Sequence, residues 1–312
     1  MATELADELC RRVGAEHVEG LRRLSGGASR ETWSFDAVMG DGRVRPLILR
    51  RDPPGAPKSG MAKERAVLEA AGAAGVPVPA VLDGDDSSII MERLEGETIP
   101  RRILRDDVFA DARPRMAAQC GAILAALHRV PVDAVPGLEQ ADQVAQFREL
   151  LDVLGEPHPA FELGFRWLEA NRPARSGTAV VHGDFRHGNL MVGPEGVRAV
   201  LDWELVHVGD PMEDLGWLCV KAWRFGAPSP VGGFGTYDEL VDAYEGAGGG
   251  PVDRRSLRWW EALGTLKWGI MCIMQAATHT SGALRSVELA AIGRRVCENE
   301  LDLLDLIDPA GR

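Results

Sequence analysis

The stretch Val180-Val181-His182-Gly183-Asp184-Phe185-Arg186-His187-Gly188-Asn189-Leu190-Met191-Val192, followed by Ala199-Val200-Leu201-Asp202-Trp203-Glu204, decides the fold. Asp184, Asn189 and Asp202 stand on loops that leave short apolar runs, where a rigid scaffold presents side chains to a ligand. Asp184 and Asn189 are five apart and Asn189 and Asp202 thirteen apart, so a tight loop followed by a β-hairpin brings all three together. Strands are predicted here at 179–182, 190–192 and 197–203. The flanks are helical: Ala/Leu-rich faces recur over 113–130 and 143–154, and helices are predicted around 238–245, 256–280 and 286–307, with a loop at 246–250.

Upstream the character differs. Residues 4–24 alternate apolar and charged positions at helical spacing, and Ser25-Gly26-Gly27-Ala28-Ser29-Arg30-Glu31 interrupts them. Two β-like runs, 32–38 and 44–50, are joined by Met39-Gly40-Asp41-Gly42, a hairpin turn signal. After a proline-rich loop, a helix over 61–74 ends at Val76-Pro77-Val78-Pro79, and a strand follows at 88–94. The expected class is α+β with two lobes: a small β-rich one over 1–94, including the N-terminal helix, and a larger, mainly helical one over 95–312.

Composition sets bounds on function. The 312 residues carry 35 Lys+Arg against 47 Asp+Glu, a net charge of −12, and 45% of them are apolar, enough for a real core. The negative excess, with no run of Lys/Arg, argues against nucleic acid and anionic membrane surfaces as partners and leaves small molecules and proteins. The five cysteines are scattered, odd in number and form no C-x-x-C pair, which argues against a disulfide framework and a structural zinc site and predicts buried thiols in a reducing compartment. No stretch reaches 18 apolar residues and the first twenty lack an apolar h-region, so a cytoplasmic protein without a membrane segment is expected. Oligomeric state leaves no trace in the sequence.

An amide oxygen and carboxylates converging in one place make an all-oxygen site suited to Mg²⁺, which keeps several waters and shares substrate phosphates. Asp184 then remains to accept a proton from an attacking hydroxyl. This is the logic of H-R-D-x-x-x-x-N in kinase-type phosphoryl transfer, present here as H-G-D-x-x-x-x-N. A lone loop aspartate usually caps a turn, but three groups at this spacing in a chain with three Asn favour chemistry. His182 reads as an orienting group beside Asp184, His128 as a core histidine, and Asp210 and Asp214 as scaffolding. A rival reading joins His187 with His182, Asp184, Asp202 and His207 in a transition-metal site, though neither H-x-H nor H-E-x-x-H occurs. Trp259, Trp260, Trp268, Met271 and Met274 form a helical core stripe, a minority of which could touch substrate.

These motifs resemble the aminoglycoside phosphotransferase family, small-molecule kinases that share the protein-kinase fold, over residues 21–300. The resemblance implies that His182-Gly183-Asp184 with Asn189 is the catalytic loop, Asp184 acting on the acceptor and His182 supporting it. Leu201-Asp202-Trp203-Glu204 would stand where protein kinases have D-F-G, with Asn189 and Asp202 holding Mg²⁺, and Gly209-Asp210-Pro211-Met212-Glu213-Asp214-Leu215 matches the family's G-D-P-x-x-D-L. Gly26, Gly27 and Ser29 would cover the nucleotide phosphates, although a full G-x-G-x-x-G is missing. Arg50, with Arg51 as its neighbour, would replace the family's lysine, paired with Glu64, and Glu92 and Leu94 would offer backbone groups to the purine. The implied activity is ATP- or GTP-dependent transfer of the γ-phosphoryl group to a hydroxyl of a small molecule. The closest flavour is the branch of phosphotransferase-like domains that precede acyl-CoA dehydrogenase modules, which leaves an aminoglycoside, a sugar, a choline-like alcohol or a hydroxyacyl group open as acceptor. Two alternatives stand beside it: a nucleotide-binding pseudokinase-type module without efficient catalysis, and a metal-dependent hydrolase.

Overall fold

The computed structural model describes residues 2–24, 30–53 and 60–308. Helix α1 (Ala2–Val13) ends at Gly14, which turns at φ +68°, and the chain returns as strand β1 (His17–Arg23). The helix expected over 4–24 is therefore half that length. The reason is a bulge: the β1 register shifts between Glu19 and Arg22, with Gly20 at φ +61°. The extra residue puts Val18 and Leu21 on one face of the strand, and that spacing of three imitates a helical stripe.

β2 (Glu31–Val38) and β3 (Val44–Arg51) form the expected hairpin, in register from Glu31↔Arg51 to Val38↔Val44. Helix α2 (Met61–Ala73) follows, then β4 (Val81–Gly84) and β5 (Ser88–Glu92), giving an antiparallel sheet of order β1-β2-β3-β5-β4. Alternation along the strands sorts the two faces. Phe35, Leu47, Leu49 and Ile90 pack under α1 against Leu5 and Leu9, while Ile89 and Met91 join Met61, Val67 and Leu68 of α2 on the other side.

Past β5 the chain becomes helical: α3 (Pro100–Arg105), α4 (Arg113–Leu127), α5 (Gln143–Leu154) and α6 (Pro159–Ala170). The quoted stretch then supplies β6 (Ala179–Val181), β7 (Leu190–Gly193), β8 (Gly196–Val200) and β9 (His207–Gly209). β7 and β8 form a hairpin; β6 pairs with β9 and brings the ends of the motif together. Helices α7 (Met212–Cys219), α8 (Tyr237–Gly246), α9 (Arg254–Thr280), α10 (Val287–Gly293) and α11 (Val296–Ile307) complete the chain. The single helix expected over 286–307 is thus two, broken at Arg294 and Arg295. α7, the most buried helix, was not predicted: with every side chain covered it shows no amphipathic period. Trp259 lies in the core with its Nε1–H donating to Leu168 O at 2.9 Å. Among the described residues no helix is long and apolar enough to cross a membrane.

Candidate active site

β6 delivers a loop whose backbone is clamped from below. Asp214, fully buried on α7, accepts the N–H of His182 at 2.8 Å and of Gly183 at 2.9 Å, and lies 3.1 Å from His128 Nε2. Burial works to raise its carboxyl, but the His128 contact and the nearby His182 hold it below the usual range. Gly183 adopts φ +77°, and a Cβ there would lie 2.5 Å from Leu205 O, so the motif's glycine is required. Asp210 accepts from Met212 N at 2.9 Å and Ser176 N at 2.8 Å and so braces the chain entering α7, the scaffolding role expected for it. Asp214→Ala would strand two buried amides and an imidazole; we expect a loss of about 3 kcal/mol or more, read as a lowered midpoint in denaturant unfolding.

His182 is buried, and its Nε2 lies 3.1 Å from Leu201 O, which makes it the protonated nitrogen; Nδ1 accepts the Asp184 N–H at 3.2 Å. Burial pushes its pKa down, so the ring is neutral and both nitrogens are engaged in holding the loop. The carboxylate of Asp184 receives Trp217 Nε1–H at 2.8 Å, Asn189 Nδ2 at 2.6 Å and Arg186 Nε at 3.1 Å from each oxygen. Asn189 spends its amide nitrogen on Asp184, whose carbonyl it also reaches at 3.0 Å, and among the described residues its amide oxygen meets no donor. Leu201 N donates to Asn189 O at 2.8 Å, and this pins Asp202 alongside. Asp202 sits at φ +64°, a strained conformation for a non-glycine residue, and its carboxylate makes no hydrogen bond among the described residues.

Asp202 and Arg186 close one wall of a cleft of about 930 Å³ between the sheet and the helices. On the facing wall Arg50 Nη1 is 2.5 Å from the buried Glu64, whose other oxygen is held by Arg30. Pleating separates the two neighbouring arginines: Arg50 faces the cleft, whereas Arg51 turns away to Glu31 at 2.9 Å and lies over the Trp33 ring. Glu92 and Leu94 line the cleft at the hinge, and the Leu94 N–H has no acceptor among the described residues. Gly26, Gly27 and Ser29 lie outside the described residues.

Four residues at this site escaped sequence reading. Arg186 stood inside the motif and could have been weighed for its charge two residues after Asp184. Arg30 directly follows Ser29 and could have been weighed in the same way, whereas Trp217 and Lys267 reach the site only through the tertiary fold and left no local signal.

The rival histidine cluster does not assemble. His187 Nδ1 bonds Gly232 O at 2.7 Å between Phe225 and Phe234, and His207 bonds Leu205 O at 2.8 Å and Glu213 at 3.1 Å. Among the described residues no group of three or more His, Cys, Asp or Glu side chains could hold a metal. Burial pushes His187 down to about 4, so the folded state excludes a proton that the unfolded chain binds below about 6.5. The neutral ring's contribution, about 3 kcal/mol, is present above pH 6.5 and is lost as pH falls toward 4. His187→Gln should therefore be less stable at pH 7.5 yet lose less stability between pH 6.5 and 4, as pH-dependent urea unfolding would show.

The chain aligns at 33% identity over 196 residues with Acyl-CoA dehydrogenase family member 10 of Mus musculus, covering 56% of this chain but 18% of that protein. Its structure superposes on a Ralstonia eutropha protein assigned as an aminoglycoside phosphotransferase with a TM-score of 0.75, at 21% identity over 98% of both chains. It also superposes on aminoglycoside phosphotransferase APH(4)-Ia in complex with AMP-PNP and hygromycin B, with a TM-score of 0.63 at 16% identity over 99% of both. These likenesses establish the two-lobed, protein-kinase-like fold. A sequence model of the phosphotransferase enzyme family (APH) matches residues 20–260, most of the chain, and the chain belongs to that family.

Proposed function

We propose that the protein transfers the γ-phosphoryl group of ATP or GTP to a hydroxyl of a small molecule, with Asp184 orienting and deprotonating that hydroxyl. The observation that carries this reading is that Asn189 bonds Asp184 and, through its carbonyl, Leu201 N, next to Asp202, which lines a cleft whose other wall carries the Arg50–Glu64 pair. Arg50 would hold the α- and β-phosphates, with Glu64 fixing its guanidinium; Arg30 is a second cation on the same carboxylate. Gly26, Gly27 and Ser29 would cover the phosphates, and the Glu92–Leu94 hinge, whose Leu94 N–H has no acceptor among the described residues, would meet the purine. Arg186, bonded to Asp184 and facing the cleft, is placed to neutralise charge on the moving phosphoryl group. His182 keeps the loop in register and transfers no proton.

Mg²⁺ fits the donors present: the Asn189 amide oxygen and the Asp202 carboxylate are hard oxygens without a donor among the described residues, and two such ligands leave room for phosphate and water. Bound there, the ion would neutralise phosphate charge. AMP-PNP in APH(4)-Ia supports ATP as the donor to try first.

The walls near Asp184 bear on the acceptor. Trp217, Trp223 and Trp268 pack in series at tilted angles, with centroids 5.2 and 4.8 Å apart, and Arg186 lies over Trp223. Next to them a cavity of about 430 Å³ is lined by Arg101, Lys221, Phe225 and Arg295, with Glu298 as its acidic member. Lys221 is paired with Asp302 at 2.5 Å and Arg295 with Glu298 at 3.1 Å, so the wall is near balance with a small cationic excess, which suits a neutral or weakly anionic hydroxyl compound better than a polycation. With labelled ATP and Mg²⁺, sugars and hydroxy acids should be phosphorylated in preference to aminoglycosides; efficient turnover of aminoglycosides alone would reverse this assignment, and no transfer to any acceptor or to water would defeat the reading as a whole.

A further inference from the structure

Lys267 on α9 is a buried amine that reaches the catalytic loop from behind, away from the residues facing the phosphates, and its surroundings give it a role. Its Nζ donates to Gly183 O at 3.1 Å, lies 3.7 Å from Glu213 Oε1 and sits 4.6 Å from the centroid of the Trp217 ring. Trp217 is the residue whose indole N–H grips Asp184 at 2.8 Å. Glu213 and Trp217 are one turn apart on α7, so a single lysine from the neighbouring helix meets both. Phe147 of α5 flanks the amine at 5.9 Å, and Glu213 is held by Gln143 at the same Oε1 and by His207 at Oε2.

We propose that Lys267 is a positioning residue for phosphoryl transfer: its cation, seated on the Trp217 face and tied to the Gly183 carbonyl, fixes Asp184 at an angle productive for attack. Two contacts act on adjacent parts of one loop. The bond to Gly183 O holds the peptide that leads into Asp184, at a glycine already committed to φ +77°. The charge over the indole draws density from the ring and strengthens its N–H as a donor, as coupled hydrogen bonds do in a low-dielectric interior. Burying an ammonium is unfavourable unless it is paired, and Glu213 supplies that pair within α7 itself. A purely structural filler at this position would be apolar: Phe147, Trp217 and the surrounding core would accommodate methionine without needing the Glu213 counter-charge.

This inference rests on the proposed function, and its test separates the two. The probe is Mg·ATP with water as acceptor, read as ADP release by wild type, Lys267→Met, Trp217→Phe, the double variant and Asp202→Ala. Lys267→Met should lower the saturated rate about tenfold or more while leaving half-saturating ATP within about twofold, because the nucleotide's contacts lie elsewhere. Trp217→Phe keeps the ring and loses the donor, and the double variant should be no slower than the slower single, since both act on the same carboxylate. If Lys267→Met releases ADP at the wild-type rate while Asp202→Ala is inactive, the inference fails and the proposed function stands. Losses that multiply in the double variant, or a matched rise in half-saturating ATP, also overturn it. Should Lys267→Met not fold, Trp217→Phe decides: a slow rate with unchanged half-saturation supports the unit, and a wild-type rate refutes it. ADP release by Asp202→Ala at the wild-type rate removes both claims.

Discussion

Asp202→Ala is expected to abolish phosphoryl transfer while leaving the fold in place. The carboxylate makes no hydrogen bond among the described residues, so its removal strands no partner. The residue also sits at φ +64°, and alanine, which lacks aspartate's local hydrogen-bonding options, adopts that region with some strain. The expected change in stability is about 1 kcal/mol in either direction, against a rate loss of several orders of magnitude. Circular dichroism and a unimodal unfolding curve would establish the fold, and ADP release would give the rate. A variant that folds and still turns over ATP at the wild-type rate contradicts the assignment of Asp202 to the metal.

Asp184→Asn has the second largest expected effect. The amide is nearly isosteric, but it cannot take a proton, and it places an N–H where the carboxylate now accepts from Trp217, Asn189 and Arg186. Loss of a positioned general base is expected to lower turnover about 10²- to 10⁴-fold. Binding of nucleotide should change little, because the proposed function sets Asp184 on the acceptor and not on the nucleotide. This pattern distinguishes it from Asp202→Ala, which should also remove the Mg²⁺-dependent part of nucleotide binding. Measuring turnover and nucleotide affinity on both variants therefore separates a residue that acts on the acceptor from one that acts on the metal.

Much of the site was legible because its residues cluster in a single segment. His182, Asp184 and Asn189 span eight positions, and a short hairpin returns the chain to Asp202, so local spacing alone brings them near one another. The Arg50–Glu64 pair was also legible, since a strand and the next helix fix both ends, and the structure brings the two together. The choice between Arg50 and Arg51 was not, because both carry the same charge and only the sheet's pleat tells which one faces the cleft. Trp217 and Lys267 were invisible for another reason: they follow Asp184 by 33 and 83 positions, and helix packing alone brings Trp217 to Asp184 and Lys267 to the neighbouring Gly183. The same limit explains the helix predicted over 4–24, where a β-bulge reproduced a helical spacing that only pairing with β2 reveals. Fully buried α7 and the short β4 and β9 likewise carry too little periodicity to stand out.

The most direct test of the central claim is thermal unfolding of wild type and Asp202→Ala with ATP and with GTP, each with and without Mg²⁺. Nucleotide at about a hundred times its Kd should stabilise the wild-type fold by roughly 2.7 kcal/mol. The account predicts a rise in the wild-type midpoint with at least one nucleotide that depends on Mg²⁺ and is lost in Asp202→Ala. A wild-type midpoint that neither nucleotide moves, with or without Mg²⁺, would contradict it.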